Sequence, residues 1–83
     1  MIKATITVKL KPGVLDPQGE AVKKALHTLG FDEVSDLRIG KTMEVWLSAD
    51  DPAQAEERVQ AMCEKLLANP VIETYSFSLE EGL

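Results

Sequence analysis

The side chains able to do chemistry are few and scattered. The 83-residue chain holds one histidine, His27, and one cysteine, Cys63. Catalysis needs a nucleophile or an acid–base pair held in mutual reach. His27 falls off the apolar stripe of its predicted helix, the position of a solvated side chain. Cys63 falls on an apolar stripe, where a thiol is a small, buried and inert hydrophobe. One cysteine cannot close an internal disulfide, and no CxxC pair exists. Asp16 and Asp51 precede prolines at helix starts and read as caps, with Asp50 a neighbour of the second start. Glu56, Glu57 and Glu64 read as a solvated helix face. No catalytic set, metal site or cofactor bound by this chain is predicted.

Two features admit a sharper reading beside a bland one. Lys9, Lys11, Arg38 and Lys41 fall near one end of the predicted sheet in an otherwise acidic chain. They are either strand-end solubility or a docking surface for an acidic partner or phosphate-bearing ligand. Trp46 falls in the opposite phase to Val45 and Leu47, which makes it either an interface anchor or a partly exposed packing residue.

Composition narrows the class. The formal net charge of -5 argues against nucleic acid and against anionic membrane surfaces, which both need basic protein faces. No apolar run approaches spanning length and nothing at the N-terminus reads as a signal peptide, so a cytoplasmic domain is expected. A chain this short buries only about 60 % of its unfolded surface. Homo-oligomerisation is therefore expected.

The elements that would position these residues follow from periodicity. Ile2 to Lys11 alternates strictly and predicts a strand with Ile2, Ala4, Ile6, Val8 and Leu10 inward. Pro12-Gly13 stops it. Asp16-Pro17 starts a helix whose stripe is Val22, Ala25, Leu26 and Leu29, ending at Gly30. Val34 to Ile39 predicts a second strand and Thr42 to Ala49 a third, with Gly40-Lys41 as a two-residue hairpin. Asp51-Pro52-Ala53-Gln54 starts a second helix with stripe Ala55, Val59, Met62, Cys63 and Leu66, ended by Asn69-Pro70. Tyr75, Phe77 and Leu79 alternate in a fourth strand, and residues 80–83 read as a frayed tail.

The predicted fold is thus α+β, a ferredoxin-like β-α-β-β-α-β single domain over residues 1–83: an antiparallel sheet with two helices on one face. The other face, with Lys3, Thr5, Thr7, Glu44 and Trp46, is left open. The topology puts residues 11–19, the Gly40-Lys41 turn and Ala68 to Val71 at one end. Several uses of this fold lack their residues. An RNA-recognition domain needs basic and aromatic strands. A heavy-metal domain carries two cysteines in the first loop, and an acylphosphatase wants an arginine there; neither occurs between Lys11 and Gly19. A stand-alone ligand-sensing regulatory module stays open.

Three stretches carry a resemblance. Gly13-Val14-Leu15-Asp16-Pro17-Gln18-Gly19, Arg38-Ile39-Gly40-Lys41 and Cys63-Glu64-Lys65-Leu66-Leu67-Ala68-Asn69-Pro70-Val71-Ile72-Glu73 resemble the PurS family, the small subunit of phosphoribosylformylglycinamidine synthase. The resemblance covers essentially the whole chain; the first and third wordings are specific, the second weak alone. It implies a non-catalytic subunit of an ATP- and glutamine-dependent ligase in purine biosynthesis. That complex converts formylglycinamide ribonucleotide to formylglycinamidine ribonucleotide using ATP and Mg. It also implies a homodimer or homotetramer that bridges a large synthetase subunit and a glutaminase subunit and supports ammonia transfer. On this basis Gly13, Asp16, Gln18, Arg38, Lys41, Asn69 and Pro70 are expected to dock a partner. Trp46, Thr5, Thr7 and Glu44 are expected at the oligomer interface.

Overall fold

The computed structural model describes residues 1–81. It is α+β and ferredoxin-like in plan. In chain order it has β1 (Ile2–Leu10), α1 (Pro17–Thr28), β2 (Lys41–Leu47), α2 (Pro52–Met62), a π-helical turn (Cys63–Leu67) and β3 (Glu73–Glu81). The sheet is antiparallel, in the order β2-β1-β3. β1 is the middle strand because its inner side chains are apolar at every second position, so it can be buried on one face along its whole length. Ile2, Ala4, Ile6 and Val8 are all essentially inaccessible. In register, Ala4 faces Val45 and Leu79, and Ile6 faces Met43 and Phe77.

α2 lies across β1 and β3. Its residues Ala55 and Val59, and Cys63 at the start of the π-turn, are spaced four apart and fully buried. Val59, Cys63 and Ala68 form one core with Ala4, Ile6 and Val8 of β1, on the face that the helical period dictates. Burial pushes the Cys63 thiol pKa up, and Glu64 adds to it; the thiol stays protonated and packs as a hydrophobe.

Several expectations need correction. The segment Val34 to Ile39 forms no strand, and Lys41 opens β2 rather than turning a hairpin. Its backbone groups are engaged elsewhere: the Val34 carbonyl accepts from His27 Nε2 at 2.8 Å, and the Ile39 N–H donates to Asp16 Oδ2 at 2.8 Å. His27 is accordingly half-buried and bonded, not solvated. Leu66 is 83 % exposed instead of core. The helix widens after Met62, with the Ala68 N–H bonding the Cys63 carbonyl at 2.9 Å. Each residue of an i→i+5 turn advances less around the axis than in an α-helix, so Leu66 falls short of the core face and Leu67 and Ala68 reach it. Lastly, Glu80 and Glu81 are the last residues of β3 rather than a frayed tail; Gly82 and Leu83 lie outside the described residues.

α1 forms as expected but covers no strand. Asp16 caps it, accepting from the Gly19 N–H at 2.9 Å. Of its residues only Gly19 is buried. Among the described residues no helix is long and apolar enough to cross a membrane.

Candidate functional site

The predicted convergence of three loops occurs, and it is built around Lys11. Lys11-Pro12-Gly13-Val14 closes a turn with the Val14 N–H on the Lys11 carbonyl at 3.1 Å. Proline second and glycine third is the type II signature, and Gly13 takes the required positive φ of 86°. The Lys11 carbonyl also accepts from Arg38 Nη2 at 3.0 Å. The Lys11 N–H donates to the Ile72 carbonyl at 2.8 Å. One residue thus ties the first loop to the second and third stretches.

Asp16 makes the second tie. One carboxylate oxygen caps α1 through Gly19 and the other holds the Ile39 N–H. Among the described residues it is the one buried polar side chain, 7 % exposed. The hydrogen bond from Ile39, then that from Gly19, hold its pKa below the usual carboxylate value, with Arg38 contributing. Two glycines permit the approach. A Cβ on Gly19 would lie 2.7 Å from the Leu37 carbonyl oxygen, and one on Gly40 would lie 2.6 Å from that of Val8.

Asn69 shapes the third loop. Its side chain accepts from the Val71 N–H at 3.0 Å, while its own N–H donates to Glu73 Oε1 at 2.6 Å. Pro70 beside it is exposed. The Ile39-Gly40 pair separates two open cavities. One, of about 490 Å³, is lined by Lys9, Pro12, Gly13, Asp36 and Arg38. The other, about 260 Å³, is lined by Asp16, Gln18, Lys41 and Glu73. Gly13, Asp16, Gln18, Arg38 and Lys41 therefore border one loop cluster, joined to the Asn69–Pro70 turn through Ile72.

The residues expected at an oligomer interface lie apart, on the open sheet face. Trp46 is 56 % exposed and sits opposite Lys3. Thr5 sits opposite Glu44 and Thr7 opposite Thr42. Lys3 Nζ reaches Glu44 Oε2 at 2.9 Å, and that contact raises the ammonium pKa. β3 adds Thr74, Ser76 and Ser78 to the same face. It is a polar surface with one large aromatic.

Sequence reasoning missed the exposed apolar side chains of the loop end: Leu15 at 75 %, Leu66 at 83 % and Val71 at 77 %. The Leu15 and Val71 exposure had no periodic signal, since both are in loops. Leu66 needed knowledge of the π-turn.

The family model for PurS, described as phosphoribosylformylglycinamidine (FGAM) synthase, matches residues 3–81. The FGAM synthase subunit PurS of Bacillus subtilis is 51% identical over 81 residues, 98% of this chain and 95% of that protein. The crystal structure of PurS from Methanocaldococcus jannaschii, a subunit of formylglycinamide ribonucleotide amidotransferase in the purine biosynthetic pathway, superposes with a TM-score of 0.87. It shares 40% identity and full coverage of both chains. A chain in the structure of PurLQS from Thermotoga maritima superposes with a TM-score of 0.85 at 34% identity, covering 95% of this chain and 96% of that one. A family match over nearly the whole length, joined to a fold that agrees in three dimensions, leaves one conclusion: this chain belongs to the PurS family of FGAM synthase subunits.

Proposed function

We propose that this chain is a non-catalytic bridging subunit of a cytoplasmic FGAM synthase complex. It holds the large ATP-dependent synthetase subunit and the glutaminase subunit together and supports the transfer of ammonia between them. ATP and Mg serve the large subunit. The observation that carries this reading is the Lys11 and Asp16 network. It welds three loops into one end that carries Arg38 and Lys41 at its rim. A welded end keeps its shape without a partner, which lowers the ordering cost of docking. Exposed Leu15, Leu66 and Val71 supply apolar contact area, and the cations supply steering toward an acidic partner surface.

Gly13, Asp16, Gln18, Asn69 and Pro70 shape this end, and Arg38 and Lys41 touch the partner. The double variant Arg38→Glu, Lys41→Glu should weaken assembly with the large and glutaminase subunits by at least about tenfold in sedimentation, since reversed charges at an interface cost several kcal/mol. Unchanged assembly and unchanged glutamine-dependent turnover would sink the reading. The open sheet face, with Trp46 as anchor and Thr5, Thr7 and Glu44 around it, is proposed to join copies of this chain into a homodimer or homotetramer. Trp46→Ala should lower the mass seen by light scattering. The cavity beside Arg38 favours one alternative, a stand-alone ligand-sensing module. A thermal-shift response to purine intermediates without partner subunits would select it.

A further inference from the structure

Three charged side chains of the loop end border one cavity, and none of them neutralises another. Lys9, Asp36 and Arg38 line the cavity of about 490 Å³ beside the Lys11 turn, with Leu10, Pro12 and Ile39 in its wall. Among the described residues none of the three forms an ion pair. Each is steadied by backbone instead. Arg38 Nη2 donates to the Lys11 carbonyl at 3.0 Å, and Asp36 Oδ1 accepts from the Leu37 N–H at 2.8 Å. The Lys9 stem runs beside Gly40, where an added Cβ would lie 3.2 Å from Lys9 Cγ. A guanidinium has five N–H donors, a carboxylate two oxygens and an ammonium three donors. Each group therefore keeps capacity to spare toward the cavity after its backbone contact is made.

These groups select a ligand by charge. The cavity has the size of a small-molecule site. A divalent cation is excluded, since Lys9 and Arg38 repel it. A phosphate dianion is disfavoured, since its charge faces Asp36. No aromatic ring lines the wall, so a base has nothing to stack on. The match is a molecule with the opposite charges in the same numbers, two anionic groups and one cationic group. An amino dicarboxylic acid carries that set. The planar guanidinium takes one carboxylate bidentately, the compact ammonium of Lys9 takes the other, and the ligand's own ammonium falls to Asp36. Its methylenes lie against Leu10, Pro12 and Ile39.

We propose that this cavity is a binding site for a free acidic α-amino acid. Arg38 holds the α-carboxylate, Asp36 the α-ammonium and Lys9 the side-chain carboxylate. Asp36 and Arg38 stand two residues apart on one extended segment and line the same cavity, so one amino-acid head group can bridge them. The charge match stands on the cavity alone. Its place in the complex rests on the bridging reading, in which hydrolysis of the glutamine amide leaves glutamate as ammonia departs.

An amide-resolved titration of the full chain tests this. The isotope-labelled chain is titrated with L-glutamate at fixed pH and ionic strength. Saturable shifts are expected at Gly13, Arg38, Ile39 and Gly40, and none at Trp46 on the open sheet face. Glutarate lacks the ammonium and L-glutamine lacks the second carboxylate, so each should bind at least about tenfold more weakly. Inorganic phosphate should bind no better than they do. No saturable shift at millimolar glutamate overturns the proposal. Equal binding of glutamate, glutarate and phosphate overturns it too, since that marks a general anion surface. The second measurement uses Asp36→Asn, at an exposed position that the fold tolerates. This variant should lose the preference for glutamate over glutarate while still binding glutarate; an unchanged preference overturns the assignment. No partner subunit enters these titrations, and Asp36 is outside the Arg38 and Lys41 assembly test, so either reading can fail without the other.

Discussion

α1 and α2 start alike and end differently. Each opens with Asp-Pro, each aspartate caps its helix, and each helix carries an apolar stripe. α2, with the π-turn that follows it, buries Ala55, Val59 and Cys63 over the sheet, whereas α1 buries only Gly19. The difference lies in what the capping carboxylate does with its second oxygen. Asp51 Oδ1 accepts from the Ala53 N–H at 3.0 Å and serves its own helix. Asp16 caps with one oxygen and reaches 23 residues on with the other, to Ile39. A cap ends a helix; a clasp also fixes where the helix points. Local propensity specifies that a helix forms; hydrogen bonds from Asp16 and His27 then tie α1 to the segment that returns from it.

The contrast can be broken at several points. The largest effect belongs to Val59→Ala. It empties a fully buried site on α2 and should cost about 2 kcal/mol or more in denaturant unfolding, at every protein concentration if the core lies within one chain. Next comes Gly19→Ala. The added methyl meets the Leu37 carbonyl oxygen and the Asp16 carboxylate, so the contact between Asp16 and Ile39 must open. A loss of about 1–3 kcal/mol is expected, together with fast amide exchange at Ile39. Protected exchange at Ile39 in this variant would show that the glycine is not what allows the clasp.

Asp16→Asn sharpens the comparison through pH. The folded carboxyl of Asp16 has a lowered pKa, so its stabilising contribution is fully present above the unfolded value, near 3.9. It is lost as the pH falls from there through the folded value. The wild-type acid limb should therefore be steeper than that of Asp16→Asn, and the variant should be less stable at neutral pH. Identical slopes below pH 4 would remove the clasp from the account. Smallest is Asp51→Ala, which removes an exposed cap and should cost about 1 kcal/mol without moving Ile39 amide exchange.

Much of this fold was legible from residue pattern. β1 was readable because its alternation runs unbroken from Ile2 to Leu10, and the inner face it implies is the buried one. Trp46 was placed on the correct face by parity alone. The meeting of the Lys11, Arg38 and Ile72 stretches followed from topology. What escaped was decided by side chains reaching across the sequence. His27 took the carbonyl of Val34, seven residues on, and Asp16 took the N–H of Ile39. Those bonds removed the 34–39 segment from the sheet, although its Val34, Leu37 and Ile39 look apolar enough for a strand. Leu66 escaped because an extra residue in a helical turn leaves no compositional trace.

The π-turn from Cys63 to Leu67 has a consequence for insertion and deletion. It works as a one-residue spacer between a packed helix and the loop that enters β3. Removing one residue there would let α2 run on with ordinary i→i+4 bonds. Leu66 would rotate toward the core stripe, and the chain would arrive at Asn69 turned and one rise short. The Asn69–Glu73 and Lys11–Ile72 bonds could not then both form at their present lengths. Chain length in this turn is therefore more tightly constrained than residue identity. A one-residue deletion among positions 64–66 should disturb the loop end more than any single substitution at the same sites.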